Sequence, residues 1–454
     1  MSTRRVAVIG GGIAGLVAAR RLMELGCEPL LIEASGRVGG AIETVARDGW
    51  LAEAGPNTVM EPEPAVRALL DRAGLADRIV RPGPAVKRRY LVHDGAPVTV
   101  PLSPGELVST PILSVAGRLR LLKEPFVAKG EGDPDETVDA FARRRFGDEV
   151  ATRLFDPLVA GTSGADPARV LVRYTFPKLV EYERAAGSIL KGAMRSRSQA
   201  RRRGEVLGGS LWSCHAGLGD VPAHLATALG GRVQLGRRVR RVASEGAQFQ
   251  VTLDDGAVEQ VDAVCFASPA RAFDAMEVAV PGGEGLTATA GIPHSSLASV
   301  SLGFRRSDVT HPLDGFGMLA PSCERRRILG VLFPSSLFAG RAPDGHVLLT
   351  TFAGGMRNPE IASLDDEALV GAVRAELQAL LGVSGAPVFR EVRRWRDTLP
   401  LAVHGHAARM APVHALEASQ PRLAFAGGWH GGLGVNDVML SGLRAAERLA
   451  AAFT

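Results

Sequence analysis

A fully apolar run at residues 6–9 is followed by a glycine-rich turn at 10–15, helical apolar spacing at 16–25 and a second apolar run at 29–32 that ends at Glu33. Continuous rather than alternating apolar runs predict strands buried on both faces, so this stretch reads as a βαβ unit with parallel strands. From about Leu75 the pattern changes, and residues 87–92 and 97–101 predict short strands around an Asp94-Gly95 turn. Pro104 to about Arg203 is helical and basic, with Leu107, Val108, Ile112, Leu113, Leu119, Leu121 and Leu122 beside Arg118, Arg120 and Lys123. Such a surface suits a helical domain whose apolar faces meet their own core, or contact with an anionic membrane.

The first pattern returns at about Gly208. Helical spacing at 221–229 precedes strand character at 233–235, 238–242, 249–253 and 258–261, the last two joined by the hairpin signal Asp254-Asp255-Gly256. Residues 261–267 read as a buried strand stopped by Ser268-Pro269, and a mixed region to about Pro421 predicts strands near 299–304, 329–333 and 347–352 with a helix at 365–381. A last apolar strand at 422–428 runs through glycines into a helix at about 436–451. At 454 residues the chain exceeds what one core organises, so a first domain assembled from separated segments is expected.

The turn reads Gly10-x-Gly12-x-x-Gly15, with Ile13 and Ala14 inside it. Its glycines allow a tight turn, close approach of a pyrophosphate to the helix N-terminus, and close helix–strand packing. Glu33-Ala34 follows at the end of the second strand, where a carboxylate accepts ribose hydroxyls. The stretch Gly36-Arg37-Val38-Gly39-Gly40 then suits a second pass along a pyrophosphate. A reversibly bound nicotinamide needs no such extension, whereas FAD, held more extensively, does.

Composition narrows the classes further. Hydrophobic residues at 46% and charged residues at 22% exclude a disordered or collagenous chain, and 54 glycines, about 12% against a usual 7%, ask for many tight turns. A net charge of +5 over this length is modest, and the arginine clusters lack interleaved aromatics, so no nucleic-acid partner is expected. Arg4-Arg5 before the first apolar run resembles a signal peptide superficially, but glycines at motif spacing lead into a helix instead. No run reaches the ~20 apolar residues of a membrane span, so a cytoplasmic protein is expected, with any contact to an inner membrane peripheral. Cys27, Cys214, Cys265 and Cys323 are scattered, which suits a reducing compartment. His404, His406, His414 and His430 have no carboxylate or thiolate at suitable sequence spacing, so no metal site is expected.

Further motifs span essentially the whole chain. They include Ala54-Gly55-Pro56-Asn57, Arg88-Arg89-Tyr90-Leu91, Asp156-Pro157-Leu158-Val159-Ala160-Gly161, Gly315-Phe316-Gly317-Met318-Leu319, and Ala426-Gly427-Gly428 with Gly434-Val435-Asn436-Asp437. In these the sequence resembles the flavin-dependent protoporphyrinogen oxidases within the flavin-containing amine oxidase superfamily. The resemblance implies an α/β fold with three domains: a Rossmann-type FAD-binding domain from 1–75, 208–268 and 422–454, a mixed-sheet substrate domain from 76–103 and 269–421, and a helical, membrane-facing domain from 104–207. It places Arg89 against a substrate propionate, Gly161 along the tetrapyrrole, and Leu319, Leu332 and Phe352 as the apolar side chains that sandwich the macrocycle. Around FAD it places Gly10, Gly12, Ile13, Ala14, Gly15, Glu33, Ala34, Arg37, Gly39, Gly40, Gly55, Pro56 and Asn57, with Val239, Gly428, Trp429, Gly434 and Val435. Three segments depart from the family pattern: Thr162-Ser163 lacks an aromatic residue, Leu401-Ala402 replaces a glutamine–aromatic pair, and Gly428 replaces an asparagine.

The activity implied is an oxygen-dependent FAD oxidoreductase acting on CH–CH groups. Protoporphyrinogen IX would lose six electrons in three two-electron steps, with hydrogen peroxide formed, in heme biosynthesis. The cofactor carries the chemistry, so no catalytic side chain is assigned. Coproporphyrinogen III is the alternative substrate, and its four propionates need more cationic partners. Homodimerisation and handover to a ferrochelatase are the partner expectations. An amine oxidase would place a lysine and tyrosines near the flavin from the C-terminal half. No Lys follows Lys191 and no Tyr follows Tyr182. A carotenoid-desaturase activity and a non-enzymatic scaffold that keeps the fold are the remaining classes.

Overall fold

A computed structural model describes residues 3–83, 86, 88–101, 104–202 and 211–453. Lys87, Arg203, the expected 207–208 boundary and the side chains of Leu107 and Val108 lie outside the described residues. Among those described, five parallel strands form one sheet in the order Val233–Leu235, Glu28–Glu33, Arg5–Ile9, Ala263–Phe266, Leu423–Phe425. Both faces of its central strand are apolar because both are covered. Val6 and Val8 pack with Leu16, Leu225 and Leu443, whereas Ala7 and Ile9 pack with Val242, Phe249 and Phe425. The first group belongs to helices Ile13–Glu24, Asp220–Leu229 and Val435–Ala451, the second largely to a four-stranded sheet laid over the opposite face.

The strand expected over 261–267 starts at Ala263 instead. At Asp262 the chain passes from the four-stranded sheet to the parallel one, and its carboxylate accepts the Arg5 N–H at 2.9 Å. Residues 270–292 and 406–419 fall within the expected substrate segment, but Phe273, Met276, Leu286, Met410, Val413 and Leu416 pack into the core beneath the parallel sheet.

A second, seven-stranded sheet runs in the order Phe389–Pro400, His294–Arg305, His346–Gly354, Ile328–Leu332, Gly315–Leu319, Arg88–His93, Ala96–Thr99. Met318, Val331, Val300 and Leu349 on one face meet Leu369, Val373 and Leu377 of helix Asp366–Leu381. On the other face Leu91 and Leu319 pack with Phe141, Phe146 and Val159 of the helical region.

The helical region holds a buried ionic cluster. Arg145 and Glu124 are both fully buried and paired, and Arg145 also donates to the carbonyls of Val127 (3.0 Å) and Gly187 (3.1 Å). Glu124 accepts from Ser188 Oγ (2.7 Å) and the Ile189 N–H (2.9 Å), which closes the start of helix Ile189–Arg202. Burial alone would raise the Glu124 pKa, but the Ser188 hydroxyl, the Ile189 N–H and Arg145 together hold it below the usual carboxylate range. A depressed folded-state pKa adds stability above the unfolded value that is lost as pH falls through the folded one. Glu124→Gln leaves Arg145 with buried Glu183, 3.4 Å away, as its remaining counter-charge and should cost about 2 kcal/mol, the loss of a hydrogen bond between charged groups. Thermal melts from pH 7 to 3 should therefore show a lower neutral-pH Tm and a flatter acid limb for the variant than for the unsubstituted protein.

Candidate active site

The C-terminal ends of strands Arg5–Ile9 and Glu28–Glu33 open into the glycine turn. Gly10 has φ +114°, and a Cβ there would lie 2.7 Å from the Ala267 carbonyl oxygen. A Cβ on Gly15 would lie 1.9 Å from the Gly10 carbonyl oxygen, but one on Gly12 would meet nothing within 4 Å. Gly12 is also the N-cap of helix Ile13–Glu24, with no side-chain cap and no acidic residue in the first turn. A positive helix end facing open space beside a residue without a side chain suits a phosphate.

The remaining cofactor candidates gather around this turn. Glu33 accepts the N–H groups of Gly11 (2.6 Å) and Ser35 (2.7 Å), while Ala34 is exposed. Gly39 donates its N–H to the Gly11 carbonyl at 2.8 Å, and Arg37 folds back to donate to the Gly40 carbonyl at 2.7 Å. The Arg237 N–H reaches the Glu33 carbonyl at 3.0 Å, which seats buried Val239 beside that acid. A Cβ on Gly55 would lie 1.9 Å from the Ala41 carbonyl oxygen, so the Gly55-Pro56-Asn57 segment rests on the second glycine stretch. Asn57 is buried; its Nδ2 donates to the Gly55 carbonyl at 3.1 Å, and its Oδ1 has no partner among the described residues. An orphaned buried acceptor calls for a donor from outside the chain.

The C-terminal motif comes to the same place. A Cβ on Gly442 would lie 2.1 Å from the Ala14 carbonyl oxygen, so helices Val435–Ala451 and Ile13–Glu24 touch backbone to backbone. Gly434 caps the later helix, and buried Trp429 donates Nε1 to the Ser268 carbonyl at 3.0 Å. Asp437 sits in the first turn of that helix, and burial pushes its pKa up.

The substrate candidates share the turned-in face of the seven-stranded sheet. Leu91, Leu319, Gly330, Phe352 and Ser299 are successive cross-strand partners, and Leu332 lies two residues beyond Gly330. Leu319, Leu332 and Phe352 are each only half-buried. Helix Asp156–Ser163 crosses above them, and a Cβ on Gly161 would lie 2.4 Å from Leu319 Cδ2. Asp156 holds that helix down: it pairs with Arg357 through both oxygens (3.0 and 2.9 Å) and accepts the Ser322 N–H at 2.7 Å. Leu401 is buried in the same apolar cluster, where the family pattern has glutamine.

Arg88 and Arg89 point to opposite faces of their strand. Arg88 pairs with Asp314, whereas exposed Arg89 lies 5.8 Å from the centre of the Phe316 ring and has no carboxylate partner among the described residues. At its other end the same face continues from Ser299 to Arg393 and Trp395, and Trp395 Nε1 donates to the Ala54 carbonyl at 2.6 Å. The same sheet face thus carries Arg89, the half-buried apolar side chains and Trp395, which reaches the segment before Gly55.

The profile of the flavin containing amine oxidoreductase family matches residues 13–450. The chain belongs to that family. It is 34% identical to protoporphyrinogen oxidase 2, chloroplastic/mitochondrial, of Arabidopsis thaliana, over 98% of this chain and 94% of the relative. It is 27% identical to coproporphyrinogen III oxidase of Bacillus subtilis, over 97% and 96% of the two chains. A crystal structure named for a protoporphyrinogen oxidase of Exiguobacterium sp. 255-15 superposes with TM-score 0.80 at 23% identity, covering 100% of both chains. The protein is thus a flavin-dependent oxidoreductase of this family, and the uncapped helix end, the open space at Gly12 and the orphaned Asn57 Oδ1 fit such a cofactor.

Sequence reasoning missed Trp395, Arg393, Asp156 and Arg357. The two outer ones lie on strand Phe389–Pro400, whose charged sequence hides an edge strand; the clamp joins residues about 200 apart in the chain. It also missed the carboxylate beside two histidines. Glu417 and His430 lie 3.5 Å apart, and with His414 their ligand atoms fall within 4.8 Å of one another. His404 and His406 do not join them. His404 pairs with Asp135 at 3.1 Å, and His406 is buried against Tyr174, with burial driving its pKa down to about 4.

Gly12 and Gly15 should separate binding from folding. Gly12→Ala should fold with a nearly unchanged Tm in the flavin-free form but hold less flavin, read from absorbance per chain. Gly15→Ala should lower the Tm of the flavin-free form itself.

Proposed function

We propose that the protein is an FAD-dependent protoporphyrinogen oxidase that converts protoporphyrinogen IX to protoporphyrin IX in tetrapyrrole biosynthesis. The observation that carries this reading is the half-buried face of Leu319, Leu332 and Phe352, bounded at one end by Arg89, which has no carboxylate partner among the described residues, and at the other by Gly55-Pro56-Asn57. The names and near-full coverage of the relatives support it. When bound, the FAD supplies hydride acceptance. The chain's own part is to bind and orient: apolar side chains cover the macrocycle face and exclude water, and Gly161 lets the helix backbone approach it.

Arg89 offers a permanent charge and a bidentate fork to one propionate. Six electrons leave the substrate in three two-electron oxidations, each consuming one oxygen molecule and releasing one hydrogen peroxide. The relatives also include coproporphyrinogen III oxidases, whose named substrate carries four carboxylates. On the face described, Arg357 and Arg393 are already paired with Asp156 and Glu43. Arg89 as the guanidinium without a carboxylate partner among the described residues of that face favours the substrate with fewer carboxylates. Exposed Val115, Leu119, Leu122, Phe126, Leu190 and Met194 beside Lys123 and Lys191 support a peripheral membrane contact for the helical region.

Initial rates on both porphyrinogens test the reading. The flavin-loaded protein should prefer protoporphyrinogen, and Arg89→Ala should lower kcat/KM about 10- to 100-fold, the range of a hydrogen bond to a charged group, with flavin content unchanged. Flavin-loaded protein that left both porphyrinogens unoxidised would defeat the proposal, and an Arg89→Ala variant as active as its parent would remove Arg89 from the site.

A further inference from the structure

The cluster of His414, Glu417 and His430 lies outside the site just described, and no part of the proposed reaction uses it. His414 and Glu417 stand three residues apart on helix His406–Ser419, so they share a helical face. The turn Gly428–Gly431 carries His430 to that face, with its Nε2 3.5 Å from Glu417 Oε2. The other Glu417 oxygen accepts the Phe425 N–H at 3.3 Å, which fixes the carboxylate plane and leaves Oε2 aimed at the histidines. Exposed His414 has no hydrogen-bond or ion-pair partner among the described residues, and the two imidazole centres are 6.3 Å apart.

We propose that His414, Glu417 and His430 form a binding site for one divalent transition-metal ion, of the zinc, cobalt or nickel class. Two imidazoles and one carboxylate are a donor set for borderline metals; calcium and magnesium prefer oxygen ligands throughout. Ligand atoms within 4.8 Å of one another must close to about 3.4 Å around a tetrahedral ion bound at about 2.1 Å. The movement falls on His414, which is exposed and unheld, while the oriented carboxylate and the half-buried His430 stay in place. Three protein ligands leave a fourth position for water.

The site would tie the helix that covers the second core to the turn carrying Gly428 and Trp429. The ion would therefore act as a tether at the edge of the cofactor region and would take no part in electron transfer. Phe425, whose N–H orients Glu417, belongs to the edge strand of the parallel sheet, so the site is anchored on a rigid element.

The test uses untagged, flavin-loaded full-length protein freed of metal by chelation. Titration with cobalt(II), followed by its visible absorption, and equilibrium dialysis with zinc(II) should each show one saturable ion per chain and a raised Tm. His414→Ala should weaken zinc affinity about tenfold or more and abolish the metal-dependent Tm rise, while its metal-free Tm matches the parent. Glu417→Gln, which keeps the Phe425 hydrogen bond, should weaken binding similarly. His93→Ala, in a second group formed with Asp94 and Glu324, serves as the control and should change nothing. No saturable binding, binding unaffected by His414→Ala and Glu417→Gln, or binding lost only in His93→Ala would each overturn the proposal.

Discussion

The architecture depends on backbone meeting backbone at three glycines. Added Cβ atoms would fall 1.9 Å from the Gly10 carbonyl oxygen at Gly15, 1.9 Å from the Ala41 carbonyl oxygen at Gly55 and 2.1 Å from the Ala14 carbonyl oxygen at Gly442. The first contact closes the turn itself, the second seats Gly55 on the end of the second glycine stretch, and the third brings residue 442 onto the start of the helix that leaves the turn. No side chain is small enough to replace a hydrogen at such distances, so the convergence requires glycine. The result is a turn at a bare helix end, which would offer a phosphate polarity rather than a counter-charge that would need desolvation.

The coupling of this turn to the substrate face runs through a short chain of contacts. Arg37 in the second glycine stretch pairs with Glu43 at 2.9 Å, and Glu43 also pairs with Arg393. Arg393 lies 5.3 Å from the ring centre of Trp395, which bonds to the Ala54 carbonyl next to Gly55. Arg393 and Trp395 sit on the edge strand whose partner strand carries Ser299 opposite Phe352. The position of the apolar face relative to the cofactor segment is therefore set by sheet register, and a one-residue slip would turn Leu319, Leu332 and Phe352 to the opposite face. On the far side, the Asp156–Arg357 pair fixes the height of the Gly161 helix above that face.

The sequence made the fold legible wherever local pattern and burial agree. Strand Arg5–Ile9 is apolar from Val6 onward because both its faces are covered, and helix Asp366–Leu381 shows its stripe because one face meets a sheet. Legibility failed where tertiary context overrides the pattern. Helix His406–Ser419 contains Pro412, a helix-breaking signal that the surrounding core tolerates. The hairpin Thr44–Arg47 and Trp50–Glu53 went unread although Asp48 and Gly49 both have positive φ, the geometry that a two-residue turn with this dipeptide favours. In the candidate site, glycines with steric roles were readable from spacing. The Asp156–Arg357 clamp and the Glu417–His430 pair were not, since nothing local marks residues that meet only after folding.

Charge shows the same distinction. Arginine far outnumbers lysine, and several guanidiniums are tied to backbone carbonyls: Arg145 to Val127 and Gly187, Arg341 to Cys214, Arg306 to Val309 and His311. Five donors in a rigid fork can hold several carbonyls at once, which a lysine ammonium on a flexible stem cannot match. Much of the basic composition is thus structural, stitching loops that lack secondary structure of their own. Against that background Arg89 is distinctive less for its charge than for having no carboxylate partner among the described residues. The proposed propionate contact would use that donor fork, and composition alone gave no way to separate Arg89 from its neighbour Arg88, which Asp314 neutralises.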